Sequence, residues 1–497
     1  MILDKMDSPL HQLHMSVNEC FEDVLNKGGH ELHIPRFNGV KTLDLPMDVY
    51  VKLNELYPDC IPAVQNLCLS SGGQEGEEIE GERILPFLHR VTKSIHFYSL
   101  RNLPETLSLS SSIEEVILEY CNATKLSSPL SNLCFVRLKQ SCIRNLNDFQ
   151  HLPGLCIDEV QVSAMTTDYS ALITAKKLRI ENWDNLSDFS FLQENDEITI
   201  RDCSTITNYS NCFKNSKKIT IEWTESSGGY DCTESNDGDD CPSFTLDLSY
   251  YSQIKEFHFK GEDHNVVFTN SLATGIIPPT LKHLYLGGIH GITNLEGFEH
   301  LKKVEIEYCP DITTLRGLER IPSVSIGGLK LKSLEGLGGD NKDVSIGYCE
   351  KIKDFSQLKH VNRVSIFSCK GFTNSSHLDH VSHVLISNCE GLKTLKGLKN
   401  AESVHLVCCP SIKDFSPLKY VKRVTLDSCY GFTNSSHLDH VVHVIINACV
   451  QLKDVKGFRN AESVELTRCP SVQSVEELKV VKNLKVHKCG TSKFSFP

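Results

Sequence analysis

A chain of 497 residues with 40% hydrophobic content can bury a large core, and it can do so as one long repeat unit as readily as in several domains. No run of 18 apolar residues occurs, so no helix is expected to span a membrane. A net charge of −12 argues against general nucleic-acid binding.

The charge is uneven. Residues 301–497 carry 28 Lys+Arg against 20 Asp+Glu, a net of +8, and residues 1–300 carry 23 against 43, a net of −20. Such an asymmetry can orient a partner.

Residues 1–90 are the least regular. Met6, Leu10, Leu13 and Phe21 suit a helical cap, which a repeat core needs because its open end would face water. The opening MILDKMDSPLHQLHMS lacks a basic stretch followed by an apolar run, so no signal peptide is expected. Leu43/Leu45 and Leu67/Leu69 read as strand positions of imperfect repeats, and SSGGQEGEEIEGE at 70–82 reads as a loop.

Across 91–223 aliphatic pairs recur at intervals near 20. They are Val116/Leu118, Val136/Leu138, Val160/Val162, Leu178/Ile180, Ile198/Ile200 and Ile219/Ile221. Cys121 and Cys203 stand three residues after their pairs, and Met165 and Trp183 take that place elsewhere. Residues 224–243, TESSGGYDCTESNDGDDCPS, are acidic and glycine-rich and lack apolar anchors. They are expected to form a flexible insertion. Asp237, Asp239 and Asp240 lack the spacing of an EF-hand loop.

Residues 244–490 hold the regular array, followed by a tail or cap at 491–497 with Phe494 and Phe496. Cysteine stands at 309, 349, 369, 389, 409, 429, 449, 469 and 489, every 20 residues with one slot taken by Leu329. Aliphatic residues precede each cysteine by five and three positions, from Val304/Ile306 to Leu484/Val486. Self-similarity at this period marks a solenoid. A Val-x-Ile alternation is a short strand with one buried face. After the cysteine the apolar spacing becomes three, as in Leu392, Leu395 and Leu398, which suits a 3₁₀ or irregular return. Stacked strands form a parallel sheet with a step of about 4.8 Å per repeat.

The cysteines then line up in a column of buried thiols, each a small weak donor able to reach a neighbouring carbonyl. No C-x-x-C spacing suggests a metal site; the only near pair is Cys408/Cys409. Twenty-one cysteines, nine of them in this column, fit a reducing, cytoplasmic setting. The sequons at Asn122, Asn185, Asn208, Asn374 and Asn434 read as chance matches. A period of 60 is superposed, with KDFS at 353 and 413, FTNSSHLDHV at 372 and 432, and NAESV at 400 and 460. It points to a duplicated three-repeat block.

The pattern resembles a leucine-rich repeat of the type with Cys where others carry Asn. Residues 408–429, CCPSIKDFSPLKYVKRVTLDSC, are similar to the repeats of internalin-like proteins, and 302–313, KKVEIEYCPDIT, to cysteine-type repeats of F-box partners and plant resistance receptors. Phe268, Leu272, Ile277, Pro278, Leu281, Leu284 and Leu286 match one FNIP repeat. The resemblance implies a β-rich α/β solenoid, a leucine-rich-repeat superhelix. Its parallel sheet would lie on the concave face and its short returns on the convex one.

No G-x-G-x-x-G, P-loop, H-E-x-x-H or G-x-S-x-G occurs, so no enzyme activity and no cofactor is expected. H-L-D-H at 377–380 and 437–440 is explained by the duplication. The two copies stand about 14 Å apart at sheet spacing, too far to share an ion. Residues beside the buried aliphatics point outward and make a candidate partner face. Arg363, Phe367, His383, Leu385, His405, Val407, Arg423, Asp427, His443 and Ile445 are its candidate residues. Phe367, Leu385, Val407 and Ile445 are expected to form an apolar strip amid polar neighbours.

A second candidate surface is the return ridge of Lys393, Lys396, Lys399, Lys413, Lys419, Lys453, Lys456 and Arg459, partly offset by Asp414 and Asp454. It suits an anionic partner. The reading is a non-enzymatic protein-interaction scaffold. A substrate-recognition subunit of a ubiquitin ligase and an extracellular adhesion protein are the alternatives.

Overall fold

The computed structural model describes residues 41–56, 63–71, 84–223 and 244–490, apart from short stretches within the last two. The expected N-terminal helical cap, the 72–82 part of the loop, the 224–243 insertion, Met165, Trp183, Phe268, Leu272, Phe494 and Phe496 lie outside the described residues. The chain divides into two units: Trp223 ends the first, and Thr224 begins the main part of the second.

Among the described residues, the main sheet of the first unit has nine parallel strands: β1 (Thr42–Pro46), β2 (Val64–Ser70), β3 (Val91–Tyr98), β4 (Glu115–Glu119), β5 (Phe135–Lys139), β6 (Gly154–Asp158), β7 (Lys177–Glu181), β8 (Glu197–Arg201) and β9 (Lys218–Glu222). Each pairs with the next in chain order. Leu43, Leu45, Leu67 and Leu69 are buried as their alternation predicts. A helix, α1 (Met47–Leu56), follows β1 and buries Tyr50 and Val51.

Of the expected pair Val160/Val162, Val160 lies outside the described residues and Val162 is not in the main-sheet strand of its repeat. That place belongs to Leu155 and Ile157 of β6, which register with Val136 and Leu138. Val162 instead lies in a two-residue pairing of Gln161–Val162 with Cys142–Ile143. The Val-x-Val alternation has strand propensity, but the core-facing register is set by the neighbouring strand.

The main sheet of the second unit has twelve among the described residues: β10 (Glu256–His264), β11 (His283–Ile289), β12 (Lys303–Glu307), β13 (Ser323–Gly327), β14 (Asp343–Gly347), β15 (Arg363–Phe367), β16 (His383–Ser387), β17 (Ser403–Val407), β18 (Arg423–Asp427), β19 (His443–Asn447), β20 (Ser463–Thr467) and β21 (Asn483–His487). From β11 to β21 every consecutive pair is parallel, with residue i opposite residue i+20.

One repeat shows how this sequence makes a coil. In β15, Val364 and Ile366 point inward and are buried, while Arg363, Ser365 and Phe367 point outward. Burying each such aliphatic contributes about 1.5–3 kcal/mol. The chain then bends through a residue in left-handed conformation, Ser368 at φ 49°, whose N–H donates to Ser387 O at 2.9 Å on the next strand. Cys369 turns inward, and its thiol donates to Ile346 O of the preceding strand at 3.8 Å.

The return runs through Phe372 and then a 3₁₀ turn at Ser376–Leu378, with Leu378 in the core. Its spacing of three reflects bonds of the i→i+3 kind, such as Leu378 N–H to Ser375 O at 2.9 Å.

The column recurs along the unit. Cys309, Cys389, Cys409, Cys429, Cys449 and Cys469 donate to the carbonyls of Leu286, Ile366, Ile386, Leu406, Leu426 and Ile446 at 3.6–4.0 Å. Leu329 fills the slot without sulfur and is buried.

Two repeats substitute a buried serine for the aromatic or aliphatic residue of the return. Ser375 donates to Thr394 O at 3.1 Å, and the hydroxyl of Ser435 accepts from Gly457 N at 2.9 Å. At Gly397 and Gly457 the neighbouring coil passes so close that a Cβ would lie 1.7 Å from the carbonyl oxygen of Ser375 or Ser435.

Candidate partner-binding face

The outward positions of the second unit's strands form three rows. Position one runs Arg363, His383, Ser403, Arg423, His443; position three runs Ser365, Leu385, His405, Thr425, Ile445; position five runs Phe367, Ser387, Val407, Asp427, Asn447. All ten residues singled out by their outward phase therefore lie on one sheet face.

Their grouping differs from a continuous apolar strip. Phe367 and Val407 flank Ser387 in one row, and Leu385 stands diagonally between them in the next. Ile445 stands apart, two strands beyond Val407 and separated from Leu385 by His405 and Thr425. It is 44% exposed. The alternation assigns the side of the sheet, but only the register says which outward residues are neighbours.

Polar groups edge the cluster. Arg363 approaches Asp343 at 3.7 Å, an exposed pair of small energetic weight. Asp427 accepts from Asn447 Nδ2 at 2.8 Å and from Ser428 Oγ at 2.7 Å, which fixes its carboxylate. Burial holds His405 below the ordinary imidazole range, with the Asp427 carboxylate opposing. A neutral His405 adds an amphipathic ring to the cluster rather than a charge.

The return ridge is exposed along its lysines apart from the half-buried Lys419. Asp414 and Asp454 accept from the N–H groups of Ser416 and Lys456 at 2.9 and 2.8 Å, so they serve their own turns. Hydrogen bonds from the Ser416 hydroxyl and then its backbone N–H hold Asp414 below the usual carboxylate range. His380 and His440 each lie 3.6 Å from the preceding aspartate, and His440 stacks on Tyr420 at 5.6 Å. Among the described residues no three His, Cys, Asp or Glu side chains are grouped as metal ligands would be.

Sequence reasoning missed two arrangements. In the first unit, Arg201 bridges Glu181 and Glu222, and Glu181 also meets Arg179. His96 and Arg137 approach Glu119 at 3.6 and 3.8 Å. In the second, Tyr308 and Tyr348 stand 57% exposed at the left-handed bends after β12 and β14. Both become visible in the sequence only once residues 20 or so apart are written under one another.

A short strand, a left-handed bend, an inward cysteine and a 3₁₀ return, repeated every 20 residues, define a leucine-rich-repeat solenoid. No protein-family model and no curated protein matches the chain.

Among solved structures the chain is similar to the functional domain of InlJ from Listeria monocytogenes, which includes a cysteine ladder. The TM-score is 0.36 at 13% identity, over 71% of this chain and 73% of that one. It is also similar to TLR13 in complex with ssRNA13, with TM-score 0.45 at 12% identity over 90% and 74%. The mouse RP105/MD-1 complex gives TM-score 0.40 at 14% identity over 86% and 90%. No helix among the described residues is long and apolar enough to cross a membrane.

Proposed function

We propose that this chain is a non-enzymatic scaffold that binds a partner protein through the strand face of its second unit, centred on Phe367, Leu385 and Val407. The observation that carries the reading is the clustering of these three apolar side chains around Ser387 on a rigid in-register sheet. Arg363, His383, His405, Arg423 and Asp427 rim the cluster, with His443 and Ile445 further along the same face. A central apolar anchor with a polar rim is the usual anatomy of a protein interface. A reducing, cytoplasmic setting suits the thiol column, whose sulfurs bond carbonyls. Thiol titration of protein from its native source tests that part.

The binding test replaces Phe367 and Leu385 with Glu and compares partners recovered by affinity capture and mass spectrometry. Lys393→Glu on the return ridge serves as control. The expected outcome is loss of a specific partner with Phe367→Glu/Leu385→Glu and its retention with Lys393→Glu. An unchanged partner set with an intact fold removes the reading.

A further inference from the structure

Upstream of that cluster the same face holds a hollow built around glycines. β13 and β14 offer no outward side chain larger than serine except Asp343 at one end. Tyr285 folds sideways over Gly287, where an added Cβ would lie 2.9 Å from its hydroxyl, and that hydroxyl donates to Glu307 Oε2 at 3.2 Å. Glu307 in turn lies along Gly327, 3.5 Å from where a Cβ would be. The ring of Tyr308 lies over Gly328, which has φ +62°, and meets Tyr348 at 6.4 Å between centroids with a 34° tilt. At Gly347 the nearest atom to an added Cβ would be Phe367 Cβ at 3.7 Å, so the floor between Glu307 and Phe367 is open.

The charges here are unevenly matched. Three carboxylates lie on β11–β14. Glu305 pairs with Lys303 at 2.6 Å and Asp343 with Arg363 at 3.7 Å. Among the described residues Glu307 alone of the three has no cation, and it is held in place by a neutral phenol. Burial and the Glu307 charge push the Tyr285 phenol up, so it remains a donor. A fixed, uncompensated carboxylate at the end of β12, followed in the chain by the exposed ring of Tyr308 that meets Tyr348, is complementary to an organic cation.

We propose that this hollow takes the guanidinium of an arginine presented by a partner protein, with Glu307 accepting its N–H groups and Tyr308 and Tyr348 offering ring surface. A planar guanidinium can lie against a ring and meet a carboxylate with two N–H groups at once; an ammonium cannot. The inference extends the strand-face reading to a second position and to a defined chemistry.

The test needs no identified partner. Acetyl-arginine methylamide is titrated into the full chain and followed by saturation-transfer NMR, beside its neutral citrulline and its lysine counterparts. The expected result is saturable binding of the arginine probe, none of the citrulline probe, and weaker binding of the lysine probe. Glu307→Gln is expected to weaken arginine binding about tenfold, and Tyr348→Ala about two- to fivefold. Alanine is tolerated at that bend, since Ala448 holds the same place at φ 47°. Equal binding of arginine and citrulline, or an unchanged affinity in Glu307→Gln, overturns the proposal. Equal binding of the lysine probe overturns the assignment to arginine. Phe367→Glu/Leu385→Glu failing to lose a partner leaves these titrations untouched, so the two readings fail separately.

Discussion

At position 489 the sulfur column meets solvent. Cys309 to Cys469 are fully buried, whereas Cys489 is half-buried. The Cys489 thiol donates to Leu466 O at 3.6 Å, as the inner thiols do to their own neighbouring carbonyls, so its exposure is what sets it apart. Cys68, also half-buried, is pushed up to about 12 by burial and by Asp44. Alkylation follows thiolate and exposure. Iodoacetamide at neutral pH should therefore modify Cys489 well before Cys68 or the inner column. Peptide mapping reads this directly, and equal labelling of Cys389 and Cys489 would contradict the column. The column was legible because its 20-residue period is strict. The left-handed residue before it was not, because Tyr308, Ser368, Asn388, Cys408, Ala448 and Arg468 share a conformation without sharing a propensity.

Among the elements, the coils of the second unit touch most closely at their returns. Gly397→Ala and Gly457→Ala each drive a Cβ into a backbone carbonyl, which no rotamer change relieves. Each is expected to cost about 1–3 kcal/mol in chemical denaturation, while Lys393→Ala on the exposed ridge should stay within about 0.5 kcal/mol. Equal midpoints for the three variants would show that the coils have more slack than the geometry gives them. The strands here were readable because Val-x-Ile alternates against a fixed cysteine. In the first unit the markers thin out, and Val162 was preferred to Ile157 because propensity without register cannot choose. The short helix α1 was overlooked although Met47, Tyr50 and Val51 share one face, since a single turn of spacing is a faint signal. Alternation along each strand says which side of the sheet a residue faces, but the separation of Ile445 from Leu385 depends on distances across strands.

For the whole molecule, a solenoid's stability is close to a sum over neighbouring coils, so a coil with one neighbour is the weakest. Among the described residues β21 pairs with β20 alone, and its inward residues Leu484 and Val486 are half-exposed where their counterparts Val464 and Leu466 are fully buried. Amide hydrogen exchange should run at least about tenfold faster in β21 than in β15–β18, a difference of about 1.4 kcal/mol in local opening. Uniform protection from β15 to β21 would mean that the last coil is as well supported as the inner ones.

Nine non-glycine residues of the second unit sit at the bend after their strands with φ between 47° and 54°. In eight of them, from Tyr308 to Arg468, the N–H is tied to the next strand's carbonyl at 2.8–2.9 Å. The backbone, not the side chain, secures that geometry. Large, small, charged and aromatic groups already occupy it at a cost of about 1 kcal/mol each. Mutation can therefore swap the chemistry at each of these pegs while leaving the spool they are fixed to unchanged, and new specificities have a ready place to arise.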